Sequence, residues 1–159
     1  MNVDQIILQP HDISFGIHTI AQQIRMRLDN PCFWVIMNGA WLFSADLLRQ
    51  VPATTHVEFL HIRRGFGAGK PHKPVLEGEV PLFDPELDHI FVDIISETGT
   101  TLNFAKKLVR KGIPVYTCSL IYKTFEPDFT YLKKDDNFFY TGYGMGPMRQ
   151  LPYIAVGGA

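Results

Sequence analysis

The chain has 159 residues, of which 46% are hydrophobic and 19% charged, and these values are typical of one globular domain, here 1–159, with a core of its own. The formal net charge is −1, so overall charge gives no reason to expect a nucleic acid or a membrane as partner, and an anion site would have to be built locally. The sequence shows no signal peptide and no apolar stretch long enough to span a bilayer, so we expect a cytoplasmic protein. Cys32 and Cys118 lie in apolar surroundings, and we expect both in the core.

The first half of the chain alternates helices with strands. Apolar residues recur at helical spacing from Ile13 to Leu28, with Asp12 or Ser14 as the cap. The apolar run 33–37 indicates a strand buried on both faces, and a helix over 42–49 and an alternating strand over 56–62 follow. The order strand, helix, strand is typical of a parallel sheet.

A loop rich in glycine and basic residues, 63–73, has no periodicity, and we expect it to be a mobile lid. The second half then predicts a helix over 101–111, closed by Gly112. Strands are predicted on both sides of that helix, at 75–80, 89–95, 113–122, 128–132, 138–141 and 152–156. The sequence therefore predicts an α/β fold with a doubly wound parallel sheet.

The loop from Ser96 to Thr101 lies between a predicted strand and a predicted helix, where parallel α/β sheets bind ligands. Gly99 allows close approach of the backbone, the first helical turn offers free N–H groups, and Thr98, Thr100 and Thr101 add hydroxyls. The segment is not a Walker loop, because no Gly-Lys-Ser/Thr is present. We predict a site for a phosphate group, which the family resemblance described below implies to be that of a phosphorylated ribose.

A threonine-rich turn that merely caps a helix is the plainer interpretation of the same segment. Asp93 and Glu97 favour a ligand site, because carboxylates beside an anion site are costly unless a metal ion or a ribose hydroxyl uses them. Asp93 also lies near the end of an apolar strand, where an unpaired charge is penalised.

Around this loop the sequence resembles the hypoxanthine-guanine branch of the type I phosphoribosyltransferases, from about Phe33 to Val156. The stretch 92–102, Val-Asp-Ile-Ile-Ser-Glu-Thr-Gly-Thr-Thr-Leu, is similar to that family's motif for the 5′-phosphate of phosphoribosyl pyrophosphate. Aligned without a gap, Asp93 matches the first of two acids, Ile94 replaces the second, and Glu97 matches the residue assigned as base towards the purine. With a one-residue insertion, Asp93 matches the second acid instead.

Further segments are similar to the family in the expected order: 35–40 to its pyrophosphate loop, 119–124 to its purine-contacting lysine segment, and 138–145 to its base-stacking stretch. The resemblance implies pyrophosphate contacts from Asn38, Gly39 and Arg149, and purine contacts from Lys123, Phe139 and Tyr140. It implies Asp93 and Glu97 as catalytic residues, with Asp93 also binding Mg²⁺.

What the resemblance implies overall is a purine-salvage transferase. It would move the phosphoribosyl group to hypoxanthine, guanine or xanthine, with phosphoribosyl pyrophosphate and a purine base as partners. The implied fold has a small hood and a lid, and relatives form dimers or tetramers, so we expect a homo-oligomer.

The sequence departs from the family pattern at several positions. Gly146-Pro147 stands where the family carries an aspartate for magnesium, and Ile94 stands at the second acid. Glu97 replaces an aspartate, and Arg63-Arg64-Gly65-Phe66 stands where the lid offers Ser-Tyr. These departures favour an alternative: a binding protein on the same fold that senses a nucleotide or a phosphoribosyl ligand.

A second alternative is a carrier of flavin mononucleotide, because similar threonine-glycine loops hold that phosphate. Against it, such a loop normally follows the first strand of the sheet, and here it follows a later one.

Overall fold

The computed structural model describes residues 3–64, 66–67, 70–71 and 73–157. The elements, in chain order, are β1 (Val3–Leu8), α1 (Pro10–Arg27), β2 (Pro31–Met37), α2 (Trp41–Leu48), β3 (His56–Arg63), β4 (Phe66–Gly67), β5 (Lys70–Pro71), β6 (Val75–Leu76), β7 (Asp88–Val92), β8 (Ile95–Ser96), α3 (Thr100–Leu108), β9 (Val115–Tyr122), β10 (Phe129–Lys133), β11 (Tyr140–Thr141) and β12 (Ile154–Gly157).

The central sheet has the strand order β10-β9-β7-β2-β3-β6, with β8 added alongside β9. Every pairing in it is parallel except that of β3 with β6. The carboxyl ends of β2, β3 and β7 therefore meet at one edge, where loops lead into α2 and α3. The predicted doubly wound sheet is confirmed.

Side chains of β2 alternate between two apolar layers, as in a strand covered on both faces. Phe33 packs in the cluster that contains Ile17, Ile20 and Ile24 of α1. Trp34 packs in the other cluster, with Leu102 and Ala105 of α3. Helices α1 and α3 thus lie on opposite faces of the sheet, and both cysteines are buried and free, as expected.

A second, three-stranded sheet joins the two ends of the chain in the order β1-β12-β11, with both pairings antiparallel. It forms the hood that the resemblance implied. The sequence predicts strands near β11 and β12 but not β1, because a short strand at the start of the chain has no neighbouring element to mark it.

Several predicted boundaries are wrong: the strands predicted at 75–80, 113–122 and 138–141 are shorter, as Val75–Leu76, Val115–Tyr122 and Tyr140–Thr141, and three further elements differ. Helix α1 begins at Pro10, after Gln9, whose N–H donates to the Asp12 carboxylate at 3.0 Å. Helix α3 ends at Leu108, because Val109 is already extended. The predicted strand 89–95 is interrupted at 93–94 and resumes as β8.

The lid predicted over 63–73 contains the short antiparallel hairpin β4–β5. Residues 65, 68, 69 and 72 of that loop lie outside the described residues, and its mobility stays a prediction. In the described part of the chain, no helix is both long enough and apolar enough to cross a bilayer.

A buried hydrogen bond links β2 to β7 inside the α3 layer. Trp34 Nε1 donates to His89 Nδ1 at 2.9 Å, and His89 Nε2–H donates to the Asp84 carbonyl at 2.7 Å. Both residues are almost fully buried, and removing one partner leaves the other unsatisfied in an apolar layer.

We therefore expect Trp34→Phe to lower the free energy of unfolding by about 1–3 kcal/mol, because His89 Nδ1 loses its donor. Trp41→Phe is the matched control: Trp41 is 48% exposed, and its replacement should cost less than about 0.5 kcal/mol. Urea denaturation followed by circular dichroism measures both variants, and equal losses would contradict the role of this hydrogen bond.

Candidate functional site

A cavity of about 520 Å³ lies at the carboxyl edge of the central sheet, beneath the hood. All the site residues predicted from the sequence line it except Lys123. These are Asn38, Gly39, Asp93, Glu97, Thr98, Gly99, Thr100, Thr101, Phe139, Tyr140 and Arg149. Segments distant in sequence thus meet in one place, although their individual roles stay predictions.

The predicted phosphate loop is open to the cavity. Gly99 has φ of 76° and directly precedes α3, and no side chain in the described chain caps that helix start. Thr98 and Thr100 are exposed, and their hydroxyls lie 2.8 Å apart. Free N–H groups at the start of a helix, beside two hydroxyls, form a suitable anion site.

The loop is held in place from below by the end of β9. β8 pairs with β9 in parallel, and Lys123 N–H then donates to the Ser96 carbonyl at 2.8 Å. The N–H groups of Thr124 and Phe125 donate to the Glu97 carbonyl at 2.9 and 3.1 Å. These bonds fix Glu97 and Lys123 side by side.

The break between β7 and β8 separates Asp93 from Ile94. Asp93 lines the cavity, and its carboxylate accepts a 2.8 Å hydrogen bond from the Ile94 N–H. The Ile94 side chain is 3% exposed and packs in the core layer of α1. The acid of this strand end therefore faces the ligand space, and the isoleucine that follows belongs to the core.

Burial raises the pKa of Asp93 to about 6, and the Glu97 carboxylate adds to the rise. The hydrogen bond from Ile94 and the positive charge of Arg64 oppose it. At pH 7.5 the carboxylate is ionised at a cost to the folded state, which a cation or ribose hydroxyls at the site would offset.

Lys123 lies just behind the cavity, in a neighbouring polar pocket with Glu97 and Asp136. Its ammonium donates to the Phe138 carbonyl at 2.8 Å and lies 3.5 Å from Glu97 Oε1 and 3.4 Å from Asp136 Oδ1. It also lies 4.8 Å from the centre of the Tyr140 ring. Four groups therefore hold this ammonium in one position at the back of the site.

Asp136 supports this arrangement and was not predicted from the sequence. The Tyr140 hydroxyl donates to both of its carboxylate oxygens, at 2.8 and 2.6 Å. Burial tends to raise the pKa of Asp136, but hydrogen bonds from Tyr140 and from the Phe138 N–H, with the charge of Lys123, lower it overall. Nothing in the local pattern Asp-Asp-Asn marks position 136, because its partners are brought together only by the fold.

The hood supplies the remaining wall of the cavity. Phe139 is 63% exposed and lines the cavity from the hood side. Ile95 of β8 lines the cavity from the side of the central sheet. Arg149 is held at the turn before β12: its Nε donates to the Gly146 carbonyl at 3.2 Å, and its own carbonyl accepts from the Gly144 N–H at 2.9 Å. The predicted base-stacking aromatic and the predicted pyrophosphate arginine thus share the cavity with the phosphate loop.

The parallel sheet, the hood and a loop-to-helix site at the sheet's carboxyl edge together define the fold of the type I phosphoribosyltransferases, as predicted. Solved hypoxanthine phosphoribosyltransferases have this fold over nearly the whole chain. By sequence alone, neither a family model nor a curated protein matches the chain.

Three solved structures illustrate the similarity. A hypoxanthine-guanine phosphoribosyltransferase from Bacillus anthracis has a TM-score of 0.76 at 22% identity, covering 98% of this chain and 99% of that one. A hypoxanthine phosphoribosyltransferase from Staphylococcus aureus has a TM-score of 0.78 at 23% identity, covering 97% and 91%. A variant of the Trypanosoma cruzi enzyme, in a ternary substrates complex, has a TM-score of 0.73 at 22% identity, covering 97% and 95%.

Gly99→Ala tests the phosphate loop. A Cβ there would lie 2.6 Å from Phe125 Cδ2, so the loop must move, and we expect binding of ribose 5-phosphate to fall by ~10-fold or more, equivalent to ~1.4 kcal/mol. Gly112→Ala is the control: its φ is also left-handed, at 97°, but nothing lies within 4 Å of its Cβ position. Calorimetric titration of ribose 5-phosphate into both variants measures the change in affinity. Wild-type affinity in Gly99→Ala would show that the loop does not bind the phosphate.

Asp93→Asn tests the cost of ionising this partly buried carboxylate. Since the pKa of Asp93 is raised from 3.8 to about 6 in the folded protein, its ionisation removes stability as the pH rises from about 4 through 6. We expect Asp93→Asn to be more stable than wild type by about 1–3 kcal/mol at pH 7.5, and equally stable near pH 4. Chemical denaturation at both values measures this, and a pH-independent difference would contradict it.

Proposed function

We propose that this protein transfers the phosphoribosyl group of phosphoribosyl pyrophosphate to an oxopurine, releasing pyrophosphate and a nucleoside monophosphate. The observation that carries the proposal is the single cavity joining the phosphate loop, Asp93, Glu97 and the hood residues Phe139 and Arg149. The similarity in fold to solved hypoxanthine phosphoribosyltransferases supports it.

In the proposed reaction, the purine N9 forms a bond to C1 of the ribose as the bond from C1 to the pyrophosphate oxygen breaks. The N–H groups and hydroxyls of the phosphate loop hold the 5′-phosphate, which fixes the ribose at the sheet edge. Asn38, Gly39 and Arg149 bind the departing pyrophosphate, whose negative charge grows as the bond breaks.

The base lies between Ile95 and Phe139 in this proposal, which gives it apolar contact area. The Glu97 carboxylate accepts the proton that leaves the purine, or holds it near N7. Lys123, fixed by Asp136 and the Phe138 carbonyl, donates to the 6-oxo group, whereas an amino group at that position would place donors against donors.

The cavity offers Mg²⁺ the carboxylate of Asp93, with that of Glu97 nearby. Because Mg²⁺ is commonly held by one or two protein carboxylates together with substrate phosphates, these donors fit an ion that arrives with pyrophosphate. Residues 3–64 and 73–157 contain no cluster of three or more His, Cys, Asp or Glu side chains placed to hold a metal. When bound, the ion would neutralise charge on the leaving group.

One observation supports the alternative function, a binding protein that senses a nucleotide or a phosphoribosyl ligand. Ile94 belongs to the core, so Asp93 is the only acid that this strand end presents to the cavity. A protein with fewer carboxylates at the ribose could retain binding while losing turnover. Pyrophosphate release separates the two functions, and an absorption spectrum of the purified protein tests the flavin carrier.

The decisive experiment follows pyrophosphate release with Mg²⁺, phosphoribosyl pyrophosphate and a panel of hypoxanthine, guanine, xanthine and adenine. We expect turnover with at least one oxopurine and none with adenine. Lys123→Gln should lower kcat/KM for the preferred oxopurine by about 10- to 100-fold, as expected for loss of a charged hydrogen bond. Lys133→Gln, at an exposed surface ion pair with Asp135, is the control and should leave it unchanged.

Binding of phosphoribosyl pyrophosphate without turnover on any base would favour the sensor. Absence of binding, with or without Mg²⁺, would refute both functions. A preference for adenine would contradict the role of Lys123.

A further inference from the structure

Tyr140 has its ring and its hydroxyl in different surroundings. The residue is 3% exposed and lines the cavity, where the resemblance implies that it contacts the purine. Its hydroxyl, however, donates to both carboxylate oxygens of Asp136, which lines the polar pocket behind the cavity. The polar atom of Tyr140 is therefore already used by Asp136, and a purine would receive it only if these contacts were broken.

The Asp136 carboxylate is oriented by its own segment of the chain, 136–140. Besides the Tyr140 hydroxyl, the Phe138 N–H donates to Asp136 Oδ1 at 3.2 Å. Burial acts to raise the pKa of Asp136, but these hydrogen bonds and the charge of Lys123 lower it overall, so the group is ionised at neutral pH. The segment thus presents a negative charge in a fixed orientation.

Lys123 meets this segment from the end of β9. Two acceptors of its ammonium belong to the segment, the Phe138 carbonyl at 2.8 Å and Asp136 Oδ1 at 3.4 Å. The ammonium also lies 4.8 Å from the centre of the Tyr140 ring. Tyr140 therefore acts on the ammonium in two ways, directly through its ring and indirectly through the carboxylate that its hydroxyl holds.

The remaining partner of the ammonium is held less firmly. Glu97 Oε1 lies 3.5 Å away, on a side chain that is 60% exposed, whereas the side chain of Asp136 is 22% exposed. Lysine is among the residues that lose most rotamer freedom when they are ordered. A fixed carboxylate offsets that loss before any ligand arrives, so a ligand meets an ammonium already in position.

We propose that Tyr140 is a positioning residue and not a purine contact: its hydroxyl fixes the Asp136 carboxylate, which fixes the Lys123 ammonium against the 6-position of the base. This rests on the proposed function, because it takes from there the contact between Lys123 and an oxopurine. Tyr140 and Asp136 then determine how sharply the site distinguishes an oxo from an amino group, although neither touches that group.

The test uses two nucleotides that share a ribose and a phosphate. Inosine 5′-monophosphate has an oxo group at position 6 of the base, and adenosine 5′-monophosphate has an amino group there. Both are titrated calorimetrically into wild type, Tyr140→Phe and Asp136→Asn, and into the same two variants combined with Lys123→Gln. Ribose 5-phosphate, which has no base, is titrated as well to show that the phosphate loop of each variant is intact.

Each variant has a matched control. Tyr131→Phe removes the hydroxyl of a tyrosine on β10 that lies outside both the cavity and the polar pocket and packs against Phe15. Asp135→Asn removes the same charge one residue away, from a side chain that is 76% exposed and pairs with Lys133 at 3.3 Å.

We expect Tyr140→Phe and Asp136→Asn to weaken binding of inosine 5′-monophosphate by about 3- to 10-fold, the size of one hydrogen bond. Binding of adenosine 5′-monophosphate and of ribose 5-phosphate should change less than about 2-fold. In the Lys123→Gln background, neither variant should weaken inosine 5′-monophosphate further, because both act through the ammonium. The two controls should bind all three ligands as wild type does.

Three results would overturn the role of Tyr140. Unchanged affinity for inosine 5′-monophosphate in Tyr140→Phe would show that the hydroxyl positions nothing that the base contacts. An equal loss for both nucleotides would show a general effect on the site. A loss of the same size in the Lys123→Gln background would show that Tyr140 contacts the base itself or supports the fold.

Each of these results leaves the proposed function standing. A wild-type protein that binds inosine 5′-monophosphate no better than adenosine 5′-monophosphate would instead contradict the oxopurine contact of Lys123, and the role of Tyr140 would fail with it.

Discussion

Backbone hydrogen bonds continue between the segments that follow β8 and β9. Lys123, Thr124 and Phe125 donate their N–H groups to the carbonyls of Ser96 and Glu97, and the Ser96 hydroxyl donates to the Phe125 carbonyl at 3.0 Å. The turn before α3 is thereby fixed to the end of β9. Because backbone atoms form all of these bonds except the one from the Ser96 hydroxyl, the positions of Glu97, Lys123 and the phosphate loop depend little on the surrounding side chains.

The cavity joins stability and binding through its charges. Asp93 lies where burial opposes its ionisation, and Arg64 Nε is buried without a partner in the described chain. Each feature costs the ligand-free protein free energy, and a cation or ribose hydroxyls beside Asp93 would offset the cost of its ionisation. Such unsatisfied groups are concentrated at binding sites because the ligand, not the fold, completes their interactions.

The hood closes the site by linking both ends of the chain to the segment from 139 to 149. Its contact with the main body is close: a Cβ on Gly144 would lie 3.0 Å from the Gly39 carbonyl oxygen, so the hood backbone lies directly against the 38–39 turn. The Tyr143 hydroxyl donates to Asp46 of α2. These contacts place Phe139 and Arg149 over the cavity at the carboxyl edge of the central sheet.

The sequence by itself determined the order of helices and strands, the doubly wound sheet and the loop that begins α3. These features follow from hydrophobic periodicity and from glycine residues at turns, which are signals within a few neighbouring residues. Only the tertiary structure decided that β1 pairs with β12, that Ile94 is core while Asp93 faces the cavity, and that Asp136 and Arg64 adjoin the site. Those facts depend on residues far apart in the chain, and no local pattern encodes which of them meet.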